Sequence, residues 1–303
     1  MATRPITGLS ICAGVGGLDL GLKLALGEQY RTVCYVERDA YCAAVLVARM
    51  ADKALDQAPI WDDLTTFAGK RWRGKVDLVS AGFPCQPASA AGQRKGREDD
   101  RWLWPAIAQL ICEVGSRYVF LENVRGLLSV DDGHAFGEVL GDLADLGFDA
   151  EWGVFRASDV GAPHRRERVF VLAYAGRGCL GWDSGTTSST QAEDGGRGAQ
   201  DGDGARSICE AMVNHDLPRP GGRSEPEQER RDELPAWPPG PSDDAGWRRV
   251  LAVRPDLAPA VEPELYRSFD GMAPRMDRLR AAGNGVVSQQ AAAAFCELWG
   301  RVT

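Results

Sequence analysis

Between Ile6 and about Ala175 short apolar runs alternate with longer amphipathic stretches. This alternation constrains the chain most, because strand and helix-length segments that repeat in turn are accommodated by a largely parallel sheet with helices on its faces. The pattern predicts strands near 6–12, 32–37, 76–81, 118–121, 150–156 and 168–173, and helices near 17–26, 39–50, 101–115 and 134–146. Each helix starts near a glycine, an aspartate or another capping residue. The expected fold class is α/β, a doubly wound Rossmann-like sheet with helices on both faces.

In such a sheet the chemistry is carried by the ends of the strands, so the residues that close each apolar run matter. The run Val76 to Gly82 leads into Phe83, Pro84, Cys85, Gln86 and Pro87, which places one thiol at a strand end between two prolines. Tyr118 to Leu121 ends in Glu122, Asn123 and Val124, which delivers a carboxyl group by the same device. A third element, Gly161-Ala162-Pro163-His164-Arg165-Arg166-Glu167-Arg168, precedes the apolar run Val169 to Ala173 and sets Arg166 and Arg168 two apart on one strand face.

A glycine-rich turn, Gly14, Gly16 and Gly17, joins the first strand to the first helix, where backbone can approach a ligand closely. The dinucleotide fingerprint requires a glycine at the position Asp19 occupies, which argues against NAD. Glu37 closes the second strand about 20 residues later, where an acid can take two ribose hydroxyls. Asp62 and Asp63 are competing candidates for a further acid at the same edge, with helix capping or a solvated turn as the plain alternative.

Taken in order, Phe83-Pro84-Cys85-Gln86, Glu122-Asn123-Val124 and Arg166-x-Arg168 resemble the motifs of the DNA (cytosine-5) methyltransferases. Leu9 to Asp19 near the start and Gly283-Asn284-Gly285-Val286-Val287 near the end extend the resemblance, which covers about residues 6–175 and 271–298. It implies a methyltransferase sheet, S-adenosyl-L-methionine as cofactor and a specific sequence in double-stranded DNA as substrate. The catalytic residues would be Cys85, Glu122, Arg166 and Arg168. The cofactor would lie along Ala13, Gly14, Val15, Gly16, Gly17 and Leu18, then Glu37 and Arg38, Asp63 and Leu64, Gly82 and Pro84, and finally Asn284 and Val286.

The implied chemistry suits these residue types. Cytosine C5 is a weak nucleophile, so a thiolate must first add at C6. No histidine stands beside Cys85, so activation falls to Glu122, which when protonated donates to the cytosine N3. Arg166 and Arg168 would contact the cytosine O2, the Glu122 carboxylate or backbone phosphate. The base must leave the duplex stack to be reached. Gln86 to Arg101, with Ser89, Ala90, Ala91 and Gly92, reads as a loop able to close over it, and Arg94, Lys95 and Arg97 read as phosphate contacts or as a solvated charge run.

The sequence departs from the family pattern at His164, at Ser288 and in Asp99-Asp100-Arg101-Trp102-Leu103-Trp104-Pro105. No His or Cys pair stands near His164, so no metal is expected. From Gly176 to about Pro241 the composition shifts to Gly, Ser, Asp, Arg and Pro. The expected organisation is therefore a catalytic domain from 1–175 and 271–303, with a small, partly disordered target-recognition region at 176–270. Between Ala175 and Asp270 eleven Arg and no Lys face eighteen acids, so this region carries most of the formal net charge of −8. Within it an amphipathic helix is expected after Ser242-Asp243-Asp244, and Arg219, Arg223, Arg230, Arg231, Arg248 and Arg249 are candidate DNA contacts. A final helix from about Ser288 to Trp299 should pack back on the first domain.

Eight cysteines without paired spacing read as reduced thiols, and no apolar run is long enough to span a bilayer, so a cytoplasmic monomer is expected, with no membrane partner. A companion restriction endonuclease, in a restriction-modification system, is a partner consistent with the resemblance. Two other readings stand beside this one: a tRNA cytosine methyltransferase, and an inactive module that binds DNA or a protein partner.

Overall fold

Seven strands build one sheet: β1 (Ile6–Ile11), β2 (Tyr30–Val36), β3 (Ile60–Trp61), β4 (Leu78–Gly82), β5 (Tyr118–Val124), β6 (Phe148–Arg156) and β7 (Glu167–Ala175), in the spatial order β3-β2-β1-β4-β5-β7-β6. The computed structural model describes residues 4–84, 102–175, 244–254 and 283–302. Its helices are α1 (Gly17–Leu26), α2 (Ala40–Ala51), α3 (Trp104–Val114), α4 (His134–Asp145), α5 (Asp244–Val253) and α6 (Ser288–Val302). No helix among the described residues is long and apolar enough to cross a membrane.

Local sequence explains the helix boundaries. Asp39 caps α2 by accepting from the Cys42 backbone N–H at 2.9 Å, and Pro105 occupies the first turn of α3, whose end is set by Gly115 in the left-handed region. The sheet is buried on both faces. Leu9, Ile11, Val79, Ala81, Val119 and Leu121 pack with α3 and α4, whereas Leu78, Phe120, Phe170 and Leu172 pack with α1 and α6. Helices therefore cover both faces, as the alternation requires.

Strands β1 to β5 run parallel, but β7 is antiparallel to β5 and β6 is antiparallel to β7. The largely parallel sheet expected from the pattern thus carries an antiparallel pair of strands at one side. Residues 157–166 are too few for a crossover, so β6 and β7 pair directly and β7 inserts next to β5. The two-residue β3 has no apolar run of its own and escaped the sequence pattern.

Two consequences position the site. The chain moves outward from β1 to β2 and β3, then returns to β4 on the other side of β1, so the order reverses between β1 and β4. Ligands of open α/β sheets bind outside the carboxyl ends of the strands at such a reversal. Because β7 is antiparallel, its beginning lies at that same edge: Val124 pairs with Arg168, and Glu122 with Phe170. The expected recognition region falls outside the described residues except for α5, in which Val250 is buried.

Candidate active site

The turn after β1 is built from backbone of positive φ, which glycine adopts freely and Cys12 adopts at a cost. Cys12, Gly14 and Gly16 have φ of 51°, 54° and 79°, and Gly16 N–H closes the turn onto the Ala13 carbonyl at 2.8 Å. Glu37, at the end of β2, accepts from the Gly14 N–H at 2.6 Å through one oxygen and from the Asp39 N–H at 2.7 Å through the other. Arg49 of α2 holds the Val15 carbonyl at 2.6 Å. A side chain on Gly14 would meet nothing within 4 Å, so the turn is open on that side. Leu18 is buried in the apolar cluster of α1 and α6.

Asp19, where a dinucleotide fold would have glycine, is fully buried and accepts from Ser10 Oγ of β1 at 2.8 Å and Thr32 Oγ1 of β2 at 3.1 Å. It ties α1 to two strands beneath the turn, and burial pushes its carboxyl up to about 6. Burial, with Glu37 adding to it, pushes the nearby Cys12 thiol up to about 12, which makes it a poor nucleophile.

The C-terminal segment returns to this turn through contacts that exclude side chains. A Cβ on Gly17 would stand 2.4 Å from the Val286 carbonyl oxygen, and one on Gly21 would stand 2.6 Å from Ala291 Cβ. Glycine at both positions lets α6 and the residues before it lie directly on α1. Asn284 is exposed beside this contact. At the end of β4, the Cβ position of Gly82 is 3.5 Å from Glu122 Oε2, 3.9 Å from Val286 Cγ2 and 4.0 Å from the Cys12 carbonyl oxygen. The glycine turn, the C-terminal segment and the β5 carboxyl group therefore converge around one residue.

Glu122 is 6% exposed, and its Oε1 lies 3.0 Å from Arg168 Nε. Burial raises its carboxyl to about 7 although Arg168 and Arg166 both act to lower it. Arg166 corrects the expectation of two arginines on one strand face. It precedes β7 with φ of 26°, and its Nη2 donates to the carbonyls of Gly283, at 2.9 Å, and Gly285. The physical reason lies in Gln290, 1% exposed in α6, whose amide donates to the carbonyls of Phe155 at 2.8 Å and Arg166 at 2.9 Å. Gln290 fixes the turn entering β7, and the turn in turn anchors the C-terminal segment.

Cys85 lies outside the described residues, as do Gln86 to Arg101. The chain leading to Cys85 is held: Asn123 Nδ2 donates to the Phe83 carbonyl at 3.1 Å, and the Phe83 ring packs on Trp102 and Trp104 at centroid distances of 6.0 and 5.7 Å. Pro84 then stands exposed at the edge. Asp63 caps the turn that follows it, with Oδ1 accepting from Thr65 N and Oγ1 at 2.8 Å each, and Arg38 acts on it electrostatically. Asp62 is exposed in the same turn, and Leu64 packs partly against the core.

Asn123, Arg49 and Gln290 were not assigned roles from sequence. Asn123 carried a signal in its position beside Glu122, whereas a glutamine within an alanine-rich helix and an arginine near a helix end carry none.

A model of the C-5 cytosine-specific DNA methylase family matches residues 6–188. The type II methyltransferase M.NgoMIV of Neisseria gonorrhoeae is 35% identical over 167 residues, covering 55% of this chain and 51% of that protein. M.PspPI of Psychrobacter sp. (strain TA137), also a type II methyltransferase, is 36% identical over 177 residues, covering 57% of this chain and 41% of that protein. The chain thus spans about half or less of the length of these curated relatives. Among solved structures, the S. pombe Dnmt2 methyltransferase aligns with a TM-score of 0.45 and 22% identity, covering 56% of this chain and 51% of that one.

Proposed function

The chain belongs to the C-5 cytosine-specific DNA methylase family, and from that membership we propose that the protein methylates C5 of cytosine within a specific duplex DNA sequence. The observation that carries the proposal is the convergence at Gly82 of a buried carboxyl raised to about 7, the glycine turn and the C-terminal segment. Gly82 stands immediately before Phe83, Pro84 and Cys85 in the chain.

The residues present fit S-adenosyl-L-methionine at the β1–β4 reversal. The open turn at Gly14 would admit the methionine part, Glu37 would take the ribose hydroxyls, and Asp63 or Asp62 with Leu64 would meet the adenine. Arg38, Pro84, Asn284 and Val286 would complete the walls. Bound there, this cofactor supplies the methyl group.

On the side of the base, Cys85 thiolate adds to C6 of a cytosine that has left the stack. Protonated Glu122 gives its proton to N3 as the addition proceeds, so the electron pair displaced from the C5–C6 bond is drawn into the ring rather than left as a ring anion. Arg168 then stabilises the carboxylate that Glu122 becomes. After C5 is methylated, loss of the C5 proton, departure of Cys85 as thiolate and return of the N3 proton to the Glu122 carboxylate give neutral 5-methylcytosine and the starting protonation state of Glu122.

The test is methylation mapped by conversion sequencing after incubation with S-adenosylmethionine and unmethylated duplex, with Cys85→Ala and a tRNA substrate alongside. The expected result is methylation at one short DNA sequence, abolished in the variant. Methylation of tRNA alone, or cofactor binding with no methyl transfer to either, would overturn the proposal.

A further inference from the structure

Glu167, between Arg166 and Arg168, faces a second cluster that the proposed chemistry does not use. Its Oε2 lies 2.6 Å from Arg125 Nη1, and its Oε1 lies 3.0 Å from Arg156 Nε and 3.1 Å from Arg165 Nη2. The three arginines come from the turn after β5, the end of β6 and the loop before β7, so three elements deliver one charge each to the edge that carries Glu122. Their side chains are 63%, 48% and 69% exposed.

One carboxylate neutralises one of three guanidinium groups. Exposed ion pairs contribute about 0–1 kcal/mol, and like charges gathered together oppose one another, so stability does not account for three arginines on one acid. Hydrogen bonds from Arg156 and Arg125 hold the Glu167 carboxyl down to about 2, so it keeps its charge and holds the arginines together at any working pH. Each guanidinium has further N–H donors than the one bond it makes here. The patch is positive on a chain whose formal net charge is −8, so it is not a local sample of a basic surface.

We propose that Arg125, Arg156 and Arg165, gathered on Glu167, form a preassembled clamp for the phosphate backbone of the duplex beside the flipped cytosine. This rests on the duplex-DNA reading above. A polyanion with regularly spaced phosphates supplies the counter-charge the cluster lacks, and guanidinium groups suit phosphate geometry. Contacts of this kind position the nucleic acid and carry no sequence information. Glu167 is a positioning residue in this arrangement, since it acts through the arginines.

The test is fluorescence anisotropy with an unmethylated duplex over a range of salt concentrations, using the full chain with S-adenosylhomocysteine present. Each phosphate contact contributes about 0.9 to the slope of log affinity against log salt, so Arg125→Gln/Arg156→Gln/Arg165→Gln should flatten the slope by up to about 3. Arg165→Gln alone, at the most exposed position, should flatten it by about 0.9 and serves if the triple variant does not fold. Glu167→Gln keeps all three positive charges, so its slope should be no flatter than that of the wild type, but its affinity should fall, because the arginines are no longer gathered. A slope equal to that of the wild type in the arginine variants, or unweakened binding in Glu167→Gln, would overturn the preassembled clamp while leaving the methyltransferase reading intact. A wild-type protein that binds S-adenosylhomocysteine but no duplex would overturn both.

Discussion

Arg168 Nε lies 3.0 Å from Glu122 Oε1, and the carboxyl it touches is nonetheless raised to about 7. Desolvation outweighs the attraction of two guanidinium groups, so at neutral pH the carboxyl is divided between its protonated and ionised forms rather than locked in an ion pair. The antiparallel insertion of β7 is what makes the contact, because a parallel β7 would have carried Arg168 to the opposite edge.

Turnover should therefore show an alkaline limb near pH 7. In the proposed chemistry the protonated form of Glu122 is the reactive one, and it is lost as pH rises through its raised value, while ionisation of a thiol acts in the opposite sense at higher pH. Glu122→Gln should lower kcat by about 10²–10⁴-fold and remove that limb. Arg168→Gln deletes an influence that lowers the carboxyl, so its alkaline limb should move to higher pH. Initial rates across the range from mildly acidic to mildly alkaline decide both; a limb that stays in place in Glu122→Gln assigns it to another group.

Gly21→Ala should destabilise the protein by about 1–3 kcal/mol, as overpacking does in a closed interior. The added Cβ meets Ala291 Cβ at 2.6 Å and the Ser288 carbonyl at 2.9 Å, and neither can move without displacing α6. Gly141→Ala, on the exposed side of α4 with nothing within 4 Å, should instead stabilise by roughly 0.5–1 kcal/mol. Urea midpoints of the two variants should move in opposite directions.

The contrast between those glycines also marks what the sequence could carry. Helix α1 was legible over 17–26 because a glycine turn and an amphipathic run bound it on both sides. Glu122 and Arg168 were legible because each closes or opens an apolar run. The orientation of β7 was not, since an apolar run reads the same in either direction and only the short 157–166 connection decides it. The two-residue spacing of Arg166 and Arg168 points to one strand face, because spacing cannot reveal a left-handed residue held by Gln290 from a helix 124 residues away. The expected recognition region at 176–270 rests, within the sequence, on a change of composition, and apart from α5 it falls outside the described residues.

Gln290→Met should weaken S-adenosylhomocysteine binding by about tenfold, the equivalent of one buried hydrogen bond. Methionine keeps the volume but leaves the carbonyls of Phe155 and Arg166 without their donor, so Arg166 loosens and with it the Gly283 and Gly285 carbonyls next to Asn284 and Val286. The same loosening reduces the influence of Arg166 on Glu122, among whose described neighbours Arg166 and Arg168 are the charges that act on it. The alkaline limb should accordingly rise in pH. Calorimetry and a pH–rate profile below the melting temperature separate this from a general loss of stability, which would leave the limb where it was.

Asp19 gives stability a pH dependence of its own. Its folded value of about 6 lies above the ordinary 3.8, so the native state holds the proton more tightly than the unfolded chain. The contribution is fully present below the unfolded value and is lost as pH rises through the folded one, which places the change between about pH 4 and 6. Glu122 acts in the same sense between its ordinary 4.5 and about 7, so the wild-type curve alone does not isolate Asp19. Asp19→Asn does: it preserves shape and can still bond Ser10 and Thr32, but it has no proton to lose. The stability of Asp19→Asn relative to wild type should grow by roughly 2–3 kcal/mol between about pH 4 and pH 7, because each tenfold difference in proton affinity between the folded and unfolded chain is worth about 1.4 kcal/mol. Urea unfolding of both proteins at intervals across that range measures this difference directly, and a difference that is flat across the series would show that Asp19 is ionised in the fold as readily as in water.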